Sequence, residues 1–190
     1  MQKGGKRPGI KGLRARVVLT FLGAVLFQAC TQPVQGPPEA RIEWLPEEER
    51  RPVDLSGTFL RPDGQETALV GNAHGEAVFL NLWATWCGPC LEEMPSMAAL
   101  HEKLAGKGLR MVAVSDEDPE TVRLFLEDYP YPFEVLLDPE SLLMQRFEVI
   151  GIPTTLIIDP QGRLALLHTG ASHWDTPGVV EQFDLLLAGP

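Results

Sequence analysis

Trp83-Ala84-Thr85-Trp86-Cys87-Gly88-Pro89-Cys90-Leu91-Glu92-Glu93-Met94-Pro95 holds two of the chain's three cysteines and two of its four tryptophans. Just upstream, residues 77–82 read Ala-Val-Phe-Leu-Asn-Leu, apolar except for Asn81. A short apolar run of this kind predicts a buried strand, here leading into a helix that opens on the Cys-x-x-Cys. That junction makes a thiol reactive, because unpaired N–H groups and the helix dipole favour thiolate over thiol. An ionised, accessible Cys87 can attack a disulfide. Cys90, one turn on, can then resolve the mixed disulfide. Half of a zinc site is a competing reading. However, no second Cys pair exists, and His74, His101, His168 and His173 lack ligand spacing. A purely structural disulfide is another, and so short a loop removes little unfolded-chain entropy.

Outward from this stretch, the chain alternates strand and helix. Strands are predicted over 109–114, 133–137, 155–158 and 164–168, and helices over 89–105, 119–127, 139–147 and 174–187. Gly106 and Gly108 end the first helix, and Pro95 within it is expected to kink it by removing one backbone bond. Arg61-Pro62-Asp63-Gly64 marks a hairpin between 55–60 and 66–70, and residues 72–75 a second turn. This order predicts an α/β fold: a central mixed sheet with helices on both faces. Trp83 is expected in the core and Trp86 beside the site. Glu92 is expected on a solvated helix face, and Asn81 as a satisfied buried polar group outside the catalytic set.

Together, Trp86-Cys87-Gly88-Pro89-Cys90 after an apolar strand, Pro95 eight residues past Cys87, and Ile152-Pro153-Thr154 before a late strand resemble thioredoxin. The resemblance covers residues 53–190. Thioredoxin carries a buried Asp six residues before its first Cys, where this chain has Asn81. Cys-x-x-Cys-x-x-Glu-x-Pro, matched by Cys87, Cys90, Glu93 and Pro95, is similar to the membrane-anchored TlpA/ResA group of thiol–disulfide oxidoreductases. The resemblance implies a thioredoxin-like fold with an N-terminal hairpin extension and a strand–helix insertion at 133–147. It also implies that Glu93 stands in for the missing Asp. Cytochrome-c-maturation reductases of the CcmG type have Pro-Glu-Thr where this chain has Pro153-Thr154-Thr155, so the ResA/TlpA branch fits better. A carboxyl shielded from water beside Cys90 would relay the resolving thiol's proton. A cis Pro153 would present the Ile152 backbone to a substrate segment, with Trp86, Gly88 and Pro89 completing the contact surface.

The N-terminus reads as an address. Residues 1–29 carry six Lys/Arg and no acid, and residues 17–27 are apolar except for Thr20. A basic leader before an apolar run too short to span a bilayer describes a signal peptide. Leu26-Phe27-Gln28-Ala29-Cys30 resembles a bacterial lipobox, with Phe27 where Leu is usual and Gln28 bulkier than the typical occupant. The resemblance implies cleavage before Cys30 and its lipidation; a plain signal peptide with a coincidental Cys is the alternative. Residues 30–52, rich in proline and charge, read as a flexible linker, with Ile42, Trp44 and Leu45 expected to pack on the body. The folded domain is expected over 53–190.

The whole chain has 26 acidic against 16 basic residues, and the basic leader makes the remainder more acidic still. That argues against nucleic-acid binding, which calls for a basic patch. No cofactor is called for. Gly88-Pro89 between the cysteines resembles the reducing members of the superfamily, which implies protein disulfides as substrates. Apocytochrome c and the copper-site proteins of cytochrome oxidase are the substrates implied, and a membrane thiol donor of the DsbD/CcdA type the partner. A thiol peroxidase is an alternative, but its Pro-x-x-x-Thr-x-x-Cys loop does not precede Cys87. A tethered copper metallochaperone is another, and it would want a further His or Met ligand.

Overall fold

A computed structural model describes residues 42–69 and 75–189. The signal peptide, Cys30, the first part of the linker and most of the 72–75 turn lie outside the described residues.

Seven strands form one mixed sheet: β1 (Thr58–Leu60), β2 (Glu66–Ala68), β3 (Ala77–Trp83), β4 (Leu109–Ser115), β5 (Glu134–Leu137), β6 (Thr154–Ile158) and β7 (Leu164–Thr169). Their order is β2-β1-β5-β4-β3-β6-β7. Strands β3, β4 and β5 are parallel, which demands crossovers. Helices α1 (Gly88–Lys103) and α2 (Pro119–Asp128) supply them. The outer pairs β1–β2, β1–β5, β3–β6 and β6–β7 are antiparallel. Every residue of β3 is buried, as expected of a strand covered on both faces.

Because side chains alternate along a strand, β3 feeds two cores. Phe79 and Trp83 join Met94, Met97 and Leu100 of α1 and Phe183 of α4 (Pro177–Ala188). Val78, Leu80 and Leu82 point the other way, with Phe59 of β1 and Leu143 of the short α3 (Leu142–Arg146). The expected two-sided α/β sandwich, with its hairpin extension and its strand–helix insertion, is the observed architecture.

Two helices start later than predicted. The third was expected over 139–147 but starts only at Leu142. The Asp138 carbonyl takes the Ser141 N–H and its carboxylate takes that of Leu143, while Ser141 sits in the left-handed region at φ 53°. The last helix was expected from Trp174 but starts at Pro177, with Thr176 at its N-cap position, because Trp174 is drawn into the core. In α1 the helix runs unbroken through Pro95, which lies on its exposed side.

Ordered packing also reaches further toward the N-terminus than the expected start at 53. Leu45 N–H donates to the Ala165 carbonyl at 2.8 Å, and Leu164 N–H to Arg51 at 2.9 Å. Trp44 meets Phe183 edge-on, ring centroids 5.1 Å apart. Residues 42–52 therefore lie along β7, covering an edge strand that would otherwise offer unpaired backbone groups. The expected packing of Ile42 and Trp44 on the body is seen, although the charge of their neighbours had placed them in the linker.

Candidate active site

The carboxyl end of β3 delivers the chain to α1 through residues 84–87. Cys87 is the N-cap of α1, and its Sγ accepts the Cys90 N–H at 3.3 Å. The two cysteines are joined as a disulfide, Sγ–Sγ 2.06 Å. Cys87 keeps a sliver of exposure, 4%, and Cys90 none. The asymmetry follows from the helix: its N-cap residue sits at the rim, and the residue one turn in faces the core. Attack from outside can reach only Cys87.

Around this rim lie the other expected contact residues. Trp86 is 73% exposed, and Gly88 and Pro89 are also exposed. The Ile152–Pro153 peptide bond is cis, and the Ile152 carbonyl lies 3.8 Å from Cys87 Sγ. Two residues before it, Ile150 is 98% exposed, an isolated apolar side chain that sequence reading passed over.

Below the disulfide is a buried polar cluster centred on Glu93, which is 2% exposed. It stands three positions after Cys90 in α1, a spacing that makes two side chains neighbours on one helix face. Asn81 Nδ2 donates to Glu93 Oε1 at 2.8 Å. Trp174 Nε1 and Ser172 N–H donate to Oε2 at 2.9 and 3.1 Å. Burial pushes the Glu93 carboxyl above its ordinary value, and the bonds from Trp174, Asn81 and Ser172 oppose that push without cancelling it. Such a group keeps its proton to a higher pH than an exposed carboxyl does. Glu92, beside it in sequence, is exposed, as expected.

Asn81 is fully buried and touches Glu93 directly, although sequence reading left it outside the site. Its Nδ2 also donates to Thr155 Oγ1 at 2.9 Å, while its Oδ1 has no partner. Trp174 and Ser172 could not be read as site residues from sequence. They belong to the loop between β7 and α4, far along the chain, and Trp174 had looked like a helix start. Glu117 was missed as well. Its carboxylate accepts the Thr85 N–H and the Thr85 hydroxyl, each at 2.7 Å, and Ser115 Oγ at 2.9 Å. It thereby ties the loop before Cys87 to the end of β4.

The profile of the AhpC/TSA family matches residues 54–166. A thiol-disulfide oxidoreductase ResA from Halalkalibacterium halodurans is 34% identical over 110 residues, 57% of this chain and 61% of that one. The ResA of Geobacillus kaustophilus is 34% identical over 116 residues, 57% and 67% of the two chains. The match thus spans about three fifths to two thirds of these curated relatives. Among solved structures, a thiol:disulfide interchange protein of the thioredoxin family from Chlorobium tepidum aligns at TM-score 0.59 and 26% identity, covering 72% of this chain and 97% of that one. The chain belongs to the AhpC/TSA family, within the thioredoxin-like group that includes the ResA proteins.

Proposed function

We propose that this protein is an extracytoplasmic thiol–disulfide oxidoreductase that reduces disulfides in other proteins. One observation carries the reading: a disulfide at a helix start, with one sulfur at the rim and the other buried above a shielded carboxyl. In the reduced protein, the Cys87 thiolate attacks a substrate disulfide, forming a mixed disulfide and releasing one substrate thiolate. The Cys90 thiol passes its proton to Glu93, and the Cys90 thiolate then attacks Cys87 Sγ and expels the second substrate thiolate. The substrate gains two electrons and the protein keeps the disulfide. The exposed Trp86 and Ile150 and the Ile152 backbone would flank an extended substrate segment.

The wider assignment rests on sequence. The lipobox at Cys30 supports a lipoprotein held at a membrane surface, with residues 31–41 as its tether. A reductant stationed there needs electrons from the cytoplasm, so a membrane thiol donor of the DsbD/CcdA type is part of the proposal. Apocytochrome c and copper-site proteins of cytochrome oxidase are the proposed clients, which places the protein in cytochrome c maturation or oxidase assembly.

The test is trapping. With Cys90→Ser in the full-length chain, the Cys87 mixed disulfide cannot be resolved, so clients should remain attached and be released by dithiothreitol. Wild-type protein should also reduce insulin, with a potential near thioredoxin's, about −270 mV. Absence of any trapped exported protein, or peroxide turnover or stoichiometric copper at Cys87 and Cys90 in place of disulfide reduction, would overturn the assignment.

A further inference from the structure

Trp174 is completely buried, and its ring is clamped edge-on between Phe79 and His168, with centroids at 5.0 and 5.6 Å. Packing alone would explain an aromatic ring there, but not the direction of its one polar atom. A buried indole N–H needs a partner, and here the partner is Glu93 Oε2 at 2.9 Å. The loop that carries the indole is pinned to α1 independently. Trp174 N–H donates to Ser96 Oγ at 3.1 Å, and that hydroxyl donates to the Glu93 carbonyl at 2.8 Å. The indole is therefore held in place before the carboxylate forms, as a preorganised donor should be.

We infer that Trp174 is a positioning residue for disulfide exchange: its indole N–H fixes the Glu93 carboxylate beneath Cys90 and confines the exchanged proton to Oε1. This rests on the relay assigned to Glu93 above. Oε2 already receives two N–H donors, from Trp174 and Ser172, so a proton there would meet them head-on. Oε1 receives only the Asn81 amide. The proton leaving Cys90 accordingly lands on Oε1, and the Asn81 amide turns over so that Oδ1 accepts it. Oδ1 is the atom now buried without a partner. Thr155 Oγ1, now an acceptor from Nδ2, becomes a donor to Oδ1 in the turned state.

The surroundings of Glu93 make the indole bond decisive. Of the groups that face it, Asn81 of β3, Ser172 and Trp174 carry no charge, Thr155 of β6 beyond Asn81 carries none either, and Cys90 of α1, one turn back, is uncharged in the disulfide and is the proton's source in the reduced protein. His168 of β7 is the titratable group across the indole, and burial holds it toward its neutral form. With no formal charge facing it in this set, Glu93 depends on hydrogen-bond donors to stay ionised. Removing one favours the acid.

The experiment compares full-length wild type, Trp174→Phe, Glu93→Gln and the double variant in disulfide exchange from pH 5 to 9. Phe keeps the apolar ring and deletes the donor. Trp174→Phe should move the Glu93-dependent midpoint up by about one pH unit, and in the Glu93→Gln background it should move nothing. In unmodified protein, the Trp174 indole N–H resonance should titrate with the same midpoint, a readout that needs no variant to fold. If Glu93→Gln keeps the wild-type profile, the relay itself fails and the inference with it. If Glu93→Gln flattens the profile while Trp174→Phe leaves it in place, or the indole resonance does not titrate, the inference alone is overturned.

Discussion

Replacing Glu93 by Gln should slow disulfide exchange while leaving the fold as stable as before, or more so, and the stability effect should depend on pH in one direction. The carboxylate accepts three bonds, one at Oε1 and two at Oε2. A Gln that places its oxygen at Oε2 keeps the bonds from Trp174 and Ser172. Its NH2 then occupies the Oε1 position and confronts Asn81 Nδ2, donor against donor. Turning the Asn81 amide relieves the conflict, because Oδ1 becomes the acceptor and Thr155 Oγ1 donates to it in turn. The number of hydrogen bonds is preserved, with Nδ2 taking the buried, unpartnered position that Oδ1 holds now, as it does in the protonated wild type. Against the protonated form of wild type, at pH 4, the change should stay within about 1 kcal/mol.

At higher pH the two proteins part. The folded-state value of Glu93 is raised above 4.5 by burial. A carboxyl of that kind contributes stability that is fully present below its unfolded value and is lost as pH rises through the folded one. Gln has no such loss. The stability of Glu93→Gln relative to wild type should therefore grow from pH 4 to pH 8 by about 1.4 kcal/mol for each unit of the upward displacement. Denaturant unfolding of the two oxidised proteins at a series of pH values measures it. Parallel curves would show that folding leaves the carboxyl's ionisation unchanged, and a Gln variant that loses ground as pH rises would show that the carboxylate is stabilised in the fold; either result would refute the electrostatic account of the site.

Two further outcomes test the parts around it. Trp44→Ala removes the edge-on contact with Phe183 and should cost about 2 kcal/mol in denaturant unfolding with no change in exchange rate; an unaltered midpoint would detach residues 42–52 from the fold. Glu117→Ala leaves the Thr85 N–H without its acceptor two residues before Cys87. It should cost about 2 kcal/mol and slow exchange several-fold, whereas equal stability and rate would remove Glu117 from the supports of the site.

The parts of the structure that could be read in advance are those in which chemistry depends on sequence spacing. Cys87 and Cys90 had to be one turn apart, β3 had to be apolar on both faces, and Ile152-Pro153-Thr154 marked the loop that meets Cys87. Helix starts were less legible where a side chain overrode the local pattern. Asp138 holds Leu143 N–H and delays α3, and the burial of Trp174 delays α4. The surroundings of Glu93 were the least legible. Its donors lie 12, 79 and 81 positions away, and only the closed sheet brings them together. Nothing local distinguishes Trp174 from any other tryptophan ahead of a helix, nor Glu117 from the other acids of its loop.

The geometry also explains how a carboxyl that thioredoxin carries on its strand can be carried on the helix instead. Asn81 comes from β3 and Glu93 from α1, and their buried side chains touch at 2.8 Å. A carboxylate at either position would face the same buried space, but not at both. Two like charges even 4 Å apart repel by about 4 kcal/mol at the effective dielectric of such sites. One acid therefore excludes the other, and the partner position is best filled by an amide, which can donate to a carboxylate and, once turned over, accept from an acid. Placing the acid on α1 has a consequence of its own. Cys90 and Glu93 then keep their one-turn relation through the helix itself, so the proton path does not depend on how tightly α1 packs on the sheet. What the sheet and the β7–α4 loop still control is how readily the acid ionises, through Asn81, Ser172 and Trp174. In the proposed relay, proton transfer and its tuning would be carried by different elements, so that a change in the loop would retune the site without moving the cysteines.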